Sequence, residues 1–181
     1  MRILALDLGR HTGWALWQDN RRESGVREFK AGRHVGAGME FVHFRSWLGE
    51  FHSSGMPQQY HLDMIVYEEV RRHLGTDAAH MYGAFWGTLT AWCQTHEVPF
   101  QGVPVATIKK FATGKGNANK DEMVAAVCSR FGCPCAKSFP LNSDGSVECV
   151  HTLPDDEADA IALLEYARAT LLTPARREEA K

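Results

Sequence analysis

The order of its apolar runs most constrains how this chain can fold. Three short β-rich segments come first, and helical and β-rich segments alternate after them. Arg2 to Leu8 is apolar and runs into Asp7-Leu8-Gly9; Trp14 to Trp17 follows Gly13. A polar turn, Gln18 to Ser24, precedes a third strand from Gly25 to Lys30. Short strands joined by turns predict an antiparallel meander. Phe41, Phe44, Leu48 and Phe51 then recur at three- and four-residue spacing, which predicts a helix over Ala37 to Ser53, closed by Ser53-Ser54-Gly55 and Pro57. Leu62 to Tyr67 is again β-rich and ends at Glu68-Glu69. Ala78, Met81, Phe85, Leu89 and Trp92 form a helical stripe, and Val98 to Val103 a short strand. Asn119 with Glu122 has the spacing of a capping box. It opens a helix through Met123, Val127 and Phe131 that Gly132 stops. Asp155 to Leu172 reads as the last helix, with Ile161, Leu164 and Leu171 on its apolar side and Pro174 beyond. The expectation is an α/β fold, a mixed five-stranded sheet flanked by helices.

At 181 residues the chain suits one domain, expected over residues 1–175, with a frayed charged tail over 176–181. No run approaches the roughly 18 apolar residues of a membrane helix, and no export signal is legible. The cytoplasm is therefore the expected location, and the five cysteines are expected as reduced thiols. A formal net charge of −2 means that any contact with nucleic acid needs a local basic patch.

Four acids stand where chemistry would want them. Asp7 and Glu68 lie at strand ends, and Asp156 and Asp159, three apart, share one face at the start of the last helix. Acids at a helix start also serve the macrodipole and caps, so Asp155, Asp156 and Glu157 alone need no catalytic explanation. Asp7 is different, because an acid inside an apolar strand is costly without a partner. Hard divalent cations take carboxylate oxygens. Two such ions about 4 Å apart can stabilise both the attacking and leaving oxygens of a phosphodiester.

Read together, four segments resemble the motifs of RuvC-like Holliday-junction resolvases, of the RNase H-like superfamily. Leu4-Ala5-Leu6-Asp7-Leu8-Gly9 with Thr12-Gly13-Trp14-Ala15 resembles the first, and Val66-Tyr67-Glu68-Glu69-Val70 the second. Val105 to Met123, with Ile108-Lys109-Lys110-Phe111 and Lys115-Gly116-Asn117-Ala118-Asn119-Lys120, resembles the lysine-rich third. Asp156-Glu157-Ala158-Asp159-Ala160-Ile161-Ala162 resembles the last. The resemblance spans Arg2 to about Leu172 and looks most like phage or bacterial members. It implies an RNase H-like fold and a structure-selective endonuclease that resolves four-way DNA junctions by symmetric nicking, as a homodimer. It implies Asp7, Glu68, Asp156 and Asp159 as catalytic ligands of two Mg²⁺ (or Mn²⁺) ions, and Lys120 as the contact to the scissile phosphate. Lys109, Lys110 and Lys115 would line the DNA backbone beside Lys120. Glycines that admit a close backbone and lysines that release counterions suit that task.

The chain departs from the family in two places. Leu8 stands where many members carry proline. Arg71-Arg72-His73 replaces an aromatic that often follows the second-motif acid, so Arg71 and Arg72 are expected to contact phosphates instead. That leaves a broader nuclease, acting on flaps, forks or other branches, as the alternative. A catalytically silent DNA-binding protein is a further alternative, but a purely binding surface gains nothing from carboxylates facing phosphate. Actin-like ATPases also open on Asp-x-Gly but need two domains around their nucleotide; no nucleotide cofactor is expected. A structural Zn²⁺ on Cys133, Cys135, Cys149 and His151 is disfavoured, because the spacing is not that of common zinc modules.

Overall fold

The computed structural model describes residues 1–32, 34–36, 38–52, 57, 60–71, 75–132 and 153–170. The elements follow the expected order with one helix added: β1 (Ile3–Asp7), β2 (His11–Gln18), β3 (Arg21–Glu28), α1 (Met39–Phe51), β4 (Met64–Glu69), α2 (Thr76–Thr95), β5 (Phe100–Pro104), α3 (Val105–Thr113), α4 (Lys120–Phe131) and α5 (Asp155–Thr170); the addition is α3. They form one five-stranded sheet in the order β3-β2-β1-β4-β5. The first three strands are antiparallel, and β1, β4 and β5 run parallel. The mixed sheet expected from the element order is the sheet observed.

Three readings need correction. The polar turn is only two residues long, because Asp19 and Asn20 both adopt positive φ, 51° and 60°, as a tight primed hairpin turn requires. Gln18 therefore pairs with Arg21, and β3 begins four residues earlier than expected. The second correction is α3, a nine-residue helix in the lysine-rich segment. It follows Pro104 and ends at Gly114, whose φ of 83° suits glycine and whose N–H donates to the Lys110 carbonyl (2.9 Å). The helix is short, and only Ile108 and Ala112 are buried from it, so its periodicity is hard to read. Finally, α1 starts at Met39 rather than Ala37; Ala37, Ser53 and the closing Ser53-Ser54-Gly55 lie outside the described residues.

Strand parity divides the core in two. Ile3, Ala5, Ala15, Val66 and Val103 face α3, α4 and α5, whereas Leu4, Leu6, Leu16, Ile65 and Tyr67 face α1 and α2. The second side is aromatic, with Phe44 and Phe85 at 5.1 Å and Phe29 and Phe44 at 5.3 Å between ring centroids. The first side is built from small residues: Ala158, Ala160, Ala162 and Ala167 of α5 are fully buried, which lets that helix lie close on the sheet. The predicted capping box opens α4, with Asn119 accepting from the Glu122 N–H and Glu122 accepting from the Asn119 N–H, both at 2.9 Å. Among the described residues no helix is long and apolar enough to cross a membrane. Cys93 is buried and Cys128 half-buried, and neither is in a disulfide among the described residues. Cys133, Cys135, Cys149 and His151, Leu171, Pro174 and the tail 176–181 fall outside the described residues.

Candidate active site

Parity alone carries two acids to one place. Asp7 continues the Ile3–Ala5 side of β1, and Glu68 the Val66 side of β4, so both carboxyl groups rise on the face covered by α5. The strands are parallel with Leu6 opposite Tyr67, which makes Asp7 and Glu68 neighbours at the strand ends. Gly13 faces Asp7 across the β1–β2 ladder. A Cβ built on it would stand 1.8 Å from the Asp156 carbonyl oxygen, so the glycine is what admits the first turn of α5 over the acids. Thr12, fully buried, closes the intervening turn by donating to the Gly9 carbonyl (2.6 Å).

The three acids that open α5 then diverge. Asp155 pairs with the Lys120 ammonium at the start of α4. Glu157, buried, accepts from the Ser24 hydroxyl on β3 (2.6 Å). Asp156 lies near enough to raise both Asp7 and Glu68, and Asp159, one turn on, raises Asp7 as well.

The electrostatics confirm a crowded set. Asp7 is raised well above the usual carboxylate range, first by burial, then by repulsion from Glu68 and Asp159. Asp7 and Glu68 stand close enough that each shifts the other's proton affinity. Glu68 is itself raised by burial, against the pull of Lys109. Asp159 is pushed up to about 7 by burial and by Glu68, and Asp156 is raised by burial and by Asp155. Four buried or half-buried acids without enough countercharge are a site that a cation would relieve. Among the described residues, no three carboxyl, imidazole or thiol groups converge as ligands on one point. Mg²⁺, however, needs only one or two carboxylates, with water and phosphate oxygens completing its shell. The donor set fits that demand.

The lysines separate by position. Lys109 of α3 donates to the Ala118 carbonyl (2.7 Å) and lowers both Glu68 and Asp159 toward their charged forms. Lys120 is held at the rim by Asp155, which raises its own pKa and lowers that of the acid. Lys115 reaches Glu122 (3.2 Å), Lys110 is exposed, and Arg71 pairs with Glu69 at 3.2 Å. Arg72 lies outside the described residues. Sequence reasoning passed over Asp155 as Lys120's partner, and over His11. That histidine stands two residues before Gly13 on the same side of β2, near enough to lower Asp156; the parity of the strand was the available signal.

No protein-family profile matches this chain, and no curated protein does. Solved structures do. RuvC of Thermus thermophilus in complex with a Holliday junction substrate aligns with a TM-score of 0.66 at 18% identity, over 93% of this chain and 96% of that one. A second structure of Thermus thermophilus RuvC aligns at 0.64 and 19% identity with the same coverage. The yeast mitochondrial Holliday junction resolvase Ydc2 aligns at 0.53 and 15% identity, over 90% of this chain and 75% of that one. The chain has the RNase H-like fold of the RuvC resolvases.

Proposed function

We propose that this protein is a divalent-metal-dependent endonuclease that cuts branched DNA, with the four-way junction as its principal substrate. The observation that carries the reading is the meeting of Asp7, Glu68, Asp156 and Asp159, from two parallel strand ends and a helix start, with Lys109 and Lys120 beside them. The likeness in fold to a RuvC described with a Holliday junction substrate supports the choice of DNA.

In this reading the four acids would hold one or two Mg²⁺ or Mn²⁺ ions. When bound, these supply Lewis-acid stabilisation of a phosphodiester under attack by water. Lys109 opposes, by its charge, the protonation that burial favours at Glu68 and Asp159. Lys120, exchanging Asp155 for a phosphate oxygen, contacts the scissile group. Lys110, Lys115, Arg71 and Arg72 track the flanking backbone through salt-sensitive contacts that carry no sequence information.

A four-way junction offers two symmetric strands, which suits a two-fold dimer. From Met81 to Thr95, α2 carries no charged side chain, yet Trp86 on it is 44% exposed. That uncharged face is the surface we assign to the second copy. The broader flap or fork nuclease draws on one observation, the exposed Arg71 where the family often has an aromatic.

The test is cleavage of labelled four-way, flap and linear duplex DNA with Mg²⁺ or Mn²⁺, comparing wild type with Asp7→Asn. Paired nicks in the junction that vanish in the variant are expected. Equal cleavage of flaps or duplex would keep the chemistry and overturn the junction assignment, and no cleavage of any substrate would leave a binding protein.

A further inference from the structure

The backbone of Glu68 is bonded to a residue on the opposite side of the sheet. The ladder from β1 to β4 ends at Leu6–Tyr67. The ladder from β5 ends at Glu69–Pro104, and proline has no N–H to give. Beyond Tyr67, β4 is therefore paired on its β5 edge alone, Glu68 opposite Val103, and that pairing stops at Glu69.

One phenol takes over there. The Tyr82 hydroxyl, on α2, donates to the Glu68 carbonyl (2.9 Å) and accepts the Val70 N–H (3.2 Å). One turn later, the Trp86 indole donates to the Tyr67 hydroxyl (3.0 Å). Gly102 of β5 leaves that hydroxyl its room, since a Cβ there would lie 3.0 Å from it. Helix α2 thus grips the end of β4 from the face that the Glu68 carboxylate does not use.

We propose that Tyr82 is a positioning residue for Glu68, fixing the strand end so that this carboxylate meets Asp7 in the geometry a divalent cation needs. The proposal deepens the metal-nuclease reading and rests on it. A strand end paired along one edge only can pivot about that edge, and a small rotation of the Glu68 peptide swings its side chain out of register with Asp7. Tyr82 acts through the backbone, by its bonds to the Glu68 carbonyl and the Val70 N–H.

The test is titration of wild type, Tyr82→Phe and Trp86→Phe with Mg²⁺ or Mn²⁺ alone, read as the cation concentration that gives half the maximal rise in Tm. Losing a partner that orients a ligand typically costs roughly 10–100-fold in metal affinity, so the Tyr82→Phe midpoint should rise by that factor. Trp86→Phe, which leaves the Glu68 carbonyl bonded, should move it less than about twofold on the same scale. A Tyr82→Phe midpoint equal to wild type overturns the proposal, as does an equal shift in Trp86→Phe, which would mean a general loosening of α2. Hydrogen exchange in the wild type adds a readout independent of the variants. Mg²⁺ should slow exchange at the Val70 amide, and an indifferent amide overturns the proposal. A wild type that neither cation stabilises removes the metal reading itself, and the role of Tyr82 with it.

Discussion

Gly13 lies so close beneath Asp156 that a Cβ on it would stand 1.8 Å from the Asp156 carbonyl oxygen. The same glycine faces Asp7 on the neighbouring strand, so one missing side chain sets the distance between two of the acids. Gly13→Ala should force α5 off the sheet, at a stability cost of about 1–3 kcal/mol, as for other overpacked sites. Junction cleavage should fall more than stability does, because the acids separate. Thermal unfolding and single-turnover cleavage measure both; wild-type values in each would mean that α5 does not depend on this approach.

Asp7→Asn removes a charge the site cannot afford and a proposed ligand at once. Cleavage should drop by about 100-fold or more, the scale of losing a dedicated stabiliser of transition-state charge. The metal-free Tm should hold or rise, since burial and like charges already oppose ionised Asp7. A variant that cuts normally excludes Asp7 from the chemistry.

The pH dependence of stability follows from Asp159, raised from 3.8 to about 7 by burial and Glu68. Between those values the folded chain binds more protons than the unfolded one, so its stability falls as pH rises through the window. The metal-free protein should therefore melt higher near about pH 5 than about pH 8, and Asp159→Asn should flatten the slope. Mg²⁺ should raise Tm more at the alkaline end, because ligands bind it deprotonated. Calorimetry across the range, with and without the cation, decides the sign.

Lys109 and Lys120 should fail differently. Lys109 lowers Glu68 and Asp159, so Lys109→Met should move the acid limb of the pH–rate profile to higher pH. Lys120 pairs with Asp155 at the rim; Lys120→Met should slow cleavage and displace that limb less. Identical profiles for the two variants would contradict the separation seen here.

Trp86→Glu places a charge on the uncharged outer face of α2. If α2 carries the proposed dimer contact, it should yield monomers in sedimentation and uncouple the proposed paired nicks in a junction. An unchanged sedimentation coefficient would locate the interface elsewhere.

Local rules made much of this protein legible from its residues. Strand parity carries Asp7 and Glu68 to one face, and the Asn119–Glu122 box opens α4 as its spacing foretold. Both depend on repeats of a few residues along the backbone. The turn at Asp19-Asn20 and the short helix α3 were harder, since two positive φ values and two buried side chains leave little trace in composition. Tertiary structure alone decided which partners the site residues take. Lys109 faces the acids, while Lys120 reaches Asp155, 35 residues away in the chain. Tyr82 holds Glu68 from the far side of the sheet, and Gly13 sets how near α5 comes. Those relations depend on distances between elements, which packing determines and no local pattern encodes.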